Sequence, residues 1–172
     1  MKDFLSVIDR RASVRAYTPE TITPEQVECL LRAAMAAPSS KNRQPWHFVV
    51  VSHSAARQAL SEQLPYARML NEAPLSVVVC GDTDVHTGEA AISWVMDCSA
   101  AAENLLLAAA ALELGAVWTG VYPYRERMDA VRKALALPEN IVPLNVIAIG
   151  HPAKPPAPKD KWQPERVHYE RW

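Results

Sequence analysis

Cysteine is scarce and unpatterned in this chain. Cys29, Cys80 and Cys98 are the only three among 172 residues. Their number is odd, no C-x-x-C pair occurs, and each lies in an apolar stretch. That excludes a disulfide-stapled scaffold and leaves small buried hydrophobes in a reducing cytoplasm. An excess of one charge is lacking as well. Eighteen Lys and Arg face nineteen Asp and Glu, a formal net charge of -1. No global field therefore favours nucleic acid or an acidic membrane, although a local basic pocket stays open. Long hydrophobic runs are missing too: the longest, 105–112, is far too short to span a bilayer. The start of the chain has an acid at Asp3 and charges again at Asp9, Arg10 and Arg11. No apolar core of a signal peptide follows, and a cytoplasmic protein is expected.

Several chemical signatures are absent. There is no G-x-G-x-x-G and no G-x-x-x-x-G-K-[ST], hence no dinucleotide fingerprint and no Walker loop. His47, His53, His86, His151 and His168 have no metal-like spacing to one another or to cysteine. No G-x-S-x-G elbow occurs. Asp82-Thr83-Asp84 with His86 reads as a solvated loop after a strand rather than a metal site. An enzyme without evident acid–base or nucleophilic machinery has its chemistry carried by a cofactor.

What is present describes one domain. At this length roughly 70% of the unfolded surface can be buried, and 49% hydrophobic with 22% charged residues is ordinary for a folded protein. Phe4, Leu5 and Ile8 share one helical face, ending near Arg10-Arg11. Thr23-Pro24-Glu25-Gln26 is a helix start: threonine caps, proline takes the first position and glutamine closes a capping box. Val27, Leu30, Leu31, Ala34 and Met35 follow at helical spacing until Pro38 intervenes. The β-branched runs 48–51, 77–80 and 146–149 predict buried strands, and 116–121 another. Helices are predicted over 54–64 and 125–137. The stretch 89–114 is alanine-rich with few polar residues, among them Asp97, Glu103 and Asn104. It predicts a long helix covered on most sides, in part by a second subunit, with Gly115 as its stop. Residues 151–172 are proline-rich yet carry Trp162, Val167, Tyr169 and Trp172. They read as an extended arm docked on the protein or on a partner. The expected organisation is a single domain over 1–150 with an arm over 151–172. The expected architecture is an α/β (α+β) three-layer sandwich, its mostly antiparallel or mixed sheet of four to five strands flanked by helices.

Three segments can carry chemistry. Arg11-Ala12-Ser13-Val14-Arg15 offers two guanidiniums and a hydroxyl, suited to a phosphate, or a solvated charge cluster at a helix end. The 37–46 loop displays Ser39, Ser40, Asn42, Gln44, two cations and Trp46 between two prolines. It fits the edge and face of a planar heterocycle, or an ordinary surface loop. Trp118-Thr119-Gly120-Val121 ends a strand where glycine permits close approach of a ligand, or merely a bend. Lys159-Asp160-Lys161 alone is an exposed charge run.

Taken in order, Arg11-x-Ser13-x-Arg15, Pro38-Ser39-Ser40-x-Asn42-x-Gln44-Pro45-Trp46, the Ala-Ala-Glu-Asn-Leu-Leu-Leu core, Trp118-Thr119-Gly120 and Lys159-x-Lys161 resemble the nitroreductase family of FMN-dependent, usually homodimeric flavoproteins. The likeness covers essentially the whole chain. It implies that Arg11, Ser13 and Arg15 hold the FMN phosphate and ribityl chain, with Lys159 and Lys161 reaching the phosphate from the arm. It implies that Ser39 and Ser40 come from the other subunit, with Asn42 and Gln44 shaping that loop. It implies that backbone N–H groups around Gly120 and Val121 face flavin N5, with Thr119 beside them in the cofactor site. NADH or NADPH would reduce the flavin, and a small electron-poor oxidant such as a nitroaromatic or quinone would reoxidise it, in ping-pong order. The flavin carries the chemistry, so no side chain is assigned as catalytic, and no metal is implied. A store or sensor without turnover, or reductive dehalogenation on the same scaffold, are the alternatives. Larger relatives carry an Asn and a Lys where this chain reads Tyr66-Ala67-Arg68-Met69, so Arg68 can substitute. The short chain also implies a more open pocket.

Overall fold

The computed structural model describes residues 4–172; Asp3 of the charged start noted in the sequence lies outside them. Helix α1, Phe4–Arg10, is followed by an extended segment and by α2, Pro24–Met35. At the start of α2 the Thr23 hydroxyl accepts from the Gln26 N–H at 3.2 Å, and the Gln26 side chain accepts from the Thr23 N–H at 2.9 Å. That is the expected reciprocal box. Strand β1, Trp46–Val51, α3, Ser54–Gln63, and β2, Leu75–Asp82, come next. Helix α4, Ser93–Ala111, β3, Gly115–Gly120, α5, Arg125–Leu135, and β4, Ile141–Gly150, complete the domain.

The four strands form one antiparallel sheet in the order β1-β2-β4-β3. Side chains alternate across it. Val77, Val79, Ile147 and Ile149 pack under α2 and α4. Val78, Cys80, Val146 and Ala148 pack with Leu60 of α3 and Val131 of α5 on the other face. The result is the expected three-layer α+β sandwich, with both faces of the two central strands buried.

Three sequence expectations change. The 48–51 run is an edge strand, not a buried one: β1 pairs only with β2, and Val50 is exposed. The long helix begins at Ser93, after a 3₁₀ turn, rather than at position 89. Gly115 does not stop it. Glu113 takes the left-handed conformation with φ 63°, its N–H bonds Ala110 O at 3.2 Å, and the Leu114 N–H bonds Ala109 O at 2.8 Å, a Schellman end. Gly115 is needed for another reason: a Cβ there would lie 2.6 Å from Val14 Cγ1. Within its own chain α4 is buried along most of its length. Ile92 and Met96 are exposed, as are Phe4, Leu5 and Ile8 on α1. Among the described residues no helix is long and apolar enough to cross a membrane.

Candidate functional site

The polar residues of α4 organise the region. Asp97 Oδ1 accepts from the Ser40 N–H at 2.9 Å. Asn104 Nδ2, two turns further along the same face, donates to Ala33 O at 3.0 Å. Glu103 Oε1 lies 3.6 Å from Arg11 Nε. A helix otherwise rich in alanine and leucine thus holds the end of α2, the loop after it and the segment after α1.

The 39–44 loop is braced from within. Ser39 Oγ accepts from the Gln44 N–H at 3.0 Å, and Asn42 Oδ1 accepts from Gln44 Nε2 at 3.2 Å. Lys41, Asn42 and Gln44 adopt φ of 52°, 54° and 51°, values that residues with a Cβ enter rarely. Three such residues in four positions leave Ser39 and Ser40 half-buried while Asn42 and Gln44 face outward. Pro45 and Trp46 are buried and anchor the loop to the start of β1.

On the opposite edge of the sheet, the 11–15 segment runs along β3. Ser13 bridges Ala116, and the Val14 N–H donates to Ala116 O at 3.0 Å. Extended alternation turns Val14 inward and leaves Ser13 and Arg15 exposed. Two clefts flank this segment. Arg11, Lys159 and Lys161 line one of about 660 Å³, together with Asp9, Glu103 and Asp160. Arg15 and Arg68 line another of about 670 Å³ with Tyr66, Met69 and Glu72. An extended chain rising roughly 3.3 Å per residue sets Arg11 and Arg15 some 13 Å apart.

Strand β3 ends between these groups. The Val121 N–H donates to Leu144 O at 3.1 Å, so it is not a free donor as the sequence reading has it. The antiparallel alternation then turns the Gly120 N–H to the open edge. A Cβ on Gly120 would meet nothing nearer than Trp118 Nε1 at 4.0 Å, and Arg127 Nη1 donates to the Gly120 carbonyl at 3.0 Å. Thr119 is buried on the α3–α5 side with no partner for its Oγ1. It supports the strand end and offers nothing to the edge.

Other sequence expectations resolve here. His86 is not in a solvated loop: it is 2% exposed, with Nε2 3.1 Å from Asp97 Oδ2. Spacing along the chain carries no signal for this pair; only a carboxylate among the apolar residues of a long helix hints that Asp97 has a partner. Among the described residues no His, Cys, Asp and Glu cluster suits a metal. Cys80 and Cys98 are buried as expected, and burial pushes both thiols up to about 12. Cys29 is exposed on α2. On its own chain the arm walls the cleft beside Arg11 and Glu103 with Lys159 and Lys161, but its rings find no cover there: Trp162, Tyr169 and Trp172 are all exposed. Nor does one chain unite the loop with Gly120. They lie at the same end of the sheet on opposite edges, three strand steps or about 14 Å apart.

The donor set suits a flat heteroaromatic ring on a phosphate-bearing tail. Cations gather at both ends of an extended segment, a hydroxyl lies between them, and an edge amide beside a glycine admits close approach. Comparison with known proteins agrees. Residues 8–65 and 55–151 match the model of the nitroreductase family. A provisionally named NADH dehydrogenase/NAD(P)H nitroreductase of Archaeoglobus fulgidus is 43% identical, with all of both chains aligned. The crystal structure of a protein given the same provisional name from Parabacteroides distasonis superposes with TM-score 0.94 at 46% identity over all of both chains. A nitroreductase-like structure from Desulfovibrio desulfuricans, solved in complex with FMN, superposes with TM-score 0.85 at 31% identity, covering 100% of this chain and 99% of that one.

Proposed function

The chain belongs to the nitroreductase family of oxidoreductases, and from that premise we propose that it is an FMN-dependent NAD(P)H oxidoreductase acting on nitroaromatics, quinones or similar electron-poor acceptors. The observation that carries this reading is the pair of clefts at either end of the 11–15 segment, each presenting basic side chains, Arg11, Lys159 and Lys161 in one and Arg15 and Arg68 in the other. When bound, FMN supplies a ring that takes hydride from a reduced nicotinamide and passes electrons to the acceptor.

The protein's part is to bind and orient. Arg11, Lys159 and Lys161 hold the phosphate, with Arg11 steadied beside Glu103. Their cleft also contains the carboxylates of Asp9, Glu103 and Asp160, which balance the three cations until phosphate binds. Ser13 contacts the ribityl chain. Arg15 holds positive charge at the pyrimidine edge, and Arg68, in the same cleft, supplies the contact that larger relatives draw from other residues. The Gly120 N–H, turned to the open edge of β3, would donate to the ring. Ser39, Ser40, Asn42 and Gln44 reach the ring from a second subunit, because about 14 Å separates them from Gly120 within one chain.

A homodimer is part of this reading. An apolar groove of about 790 Å³ opens between α2 and the free edge of β1, lined by Ile22, Val27, Leu31, Met35 and Val50. The 153–172 arm offers exposed tryptophans to such a surface, and α1 offers Phe4 and Leu5. Residues 4–150 act as the FMN-binding domain and the arm completes the site of the dimer. Three free cysteines fit a cytoplasmic location.

The test is a visible spectrum of the purified protein before and after anaerobic NADH or NADPH. A yellow protein that bleaches supports the reading; a colourless protein that also refuses added FMN overturns it. Arg15→Ala should weaken FMN binding by about tenfold, the loss of roughly one charge-assisted contact. Unchanged affinity by flavin titration removes Arg15 from the site.

A further inference from the structure

Asp97 is an acid in an expensive place. Its side chain is 8% exposed and that of His86 1% exposed. A buried carboxylate is tolerated only when donors meet its oxygens. Here each oxygen has its own: the Ser40 N–H at 2.9 Å on Oδ1 and His86 Nε2 at 3.1 Å on Oδ2. The two donors come from different elements, the 3₁₀ turn Ser40–Asn42 and the connection after β2. Neither Asp97 nor His86 lines the two clefts that flank the 11–15 segment, so nothing in the cofactor reading uses them.

The loop that Asp97 grips needs an external hold. Lys41, Asn42 and Gln44 sit in the left-handed region without glycine, a conformation that persists only when surroundings impose it. Asn104 on the same helix fixes Ala33 O, so α4 holds the segment 33–40 at both ends. Arg43, whose Nη1 donates to Val85 O, ties the loop to the residue next to His86. Loop, His86 connection and α4 therefore close on one another through polar contacts with Asp97 at the centre.

We propose that Asp97, oriented by His86, is the positioning residue for the 39–44 loop. It sets the height and direction at which Ser39 and Ser40 are presented to the ring bound across the subunit boundary. This rests on the reading of that loop as a ring contact. The carboxylate does not touch cofactor or substrate; it acts through the Ser40 amide. A cavity in its place would free the Ser40 N–H and release the three left-handed residues to other conformations.

The experiment compares the full-length protein with Asp97→Ala, Asp97→Asn and His86→Ala. It uses amide hydrogen exchange over residues 36–46 and titration with FMN. Asp97→Ala should speed exchange at Ser40 at least tenfold while the sheet keeps its protection, and should weaken FMN binding at least tenfold. Asparagine keeps an oxygen for the Ser40 N–H, so Asp97→Asn should restore both to within about threefold of the parent. His86→Ala should fall between, and it carries the test if Asp97→Ala does not fold. Ser40 exchange unchanged in Asp97→Ala, or in His86→Ala where that variant stands in, overturns the proposal. So does faster exchange with unaltered FMN affinity, or Asp97→Asn behaving like Asp97→Ala. A parent protein that takes up no FMN sinks the functional reading, while the exchange comparison still decides whether Asp97 holds the loop.

Discussion

The 37–46 loop and the 153–172 arm look alike in sequence. Both are irregular, basic and punctuated by proline, and both carry tryptophan. In the folded chain they behave as opposites. The loop sends its hydrogen bonds inward, to its own side chains and to Asp97, and plants Trp46 in the core. Beyond Ala153, whose N–H reaches Ala16 O, the arm's backbone bonds run only to residues two or three positions away. Its terminal ring contact is between its own His168 and Trp172, centroids 4.2 Å apart. Composition did not separate the two segments; the destination of their polar groups did. A segment braced by its own chain is a rigid part of a site. One that exposes Trp162 and Trp172 waits for a surface that the single chain does not supply.

The largest expected effect is on the arm. Ending the chain after residue 152 removes Lys159 and Lys161, and losing two charge-assisted contacts should weaken FMN by at least about 100-fold. Flavin titration together with sedimentation reads this. A shortened chain that remains dimeric and binds FMN normally would break the contrast drawn here. Next is the arm's root. A Cβ on Gly150 would lie 2.7 Å from Pro74 Cδ and 2.8 Å from Tyr17 Cδ1, so Gly150→Ala should cost about 1–3 kcal/mol. An unchanged melting temperature would mean that the root is as loose as the arm beyond it.

Tyr17 sharpens the same boundary. Its hydroxyl donates to Val14 O at 2.6 Å, with Ala148 O at 3.2 Å, and its backbone bridges Pro152. Tyr17→Phe should lose roughly 1 kcal/mol. Burial pushes the phenol well above its ordinary value. The folded state therefore holds the proton more tightly than the unfolded one. Its contribution is complete below about pH 10 and is lost as pH rises toward the raised folded value. The buried thiols of Cys80 and Cys98 lose stability in the same sense from lower pH. Urea midpoints measured up to about pH 11 should show a shallower alkaline decline for Tyr17→Phe than for the parent; identical declines would remove Tyr17 as the source. The smallest effect is at the entry to the braced side. Thr23→Ala should lower stability by about 1 kcal/mol, and a loss shown by exchange to be confined to the first turn of α2 would leave the loop untouched.

Much of the fold could be read before any coordinates. Thr23 and Gln26 cap as their spacing says, and the alternating apolar runs became strands because two-residue periodicity needs only neighbours. The cationic residues were visible as residue types at fixed intervals. Val50 was misplaced because an apolar run looks the same on an edge strand as in the middle of a sheet. His86 was missed because its partner lies 11 residues away on another element. The pairing of the Val121 N–H with Leu144 O is invisible in one strand alone.

Sequence by itself determined the elements, their caps and the inventory of cations and hydroxyls, since these depend on contacts within about one turn or one strand. Tertiary structure decided where the inventory goes. It set Arg15 beside Arg68, 53 positions apart in the numbering, in one cleft. It joined Ser40 to Asp97 across 57 residues, and it left the arm without cover. Those outcomes follow from which buried polar groups must find partners and which apolar faces must find one another, and both are settled only when the whole chain has packed.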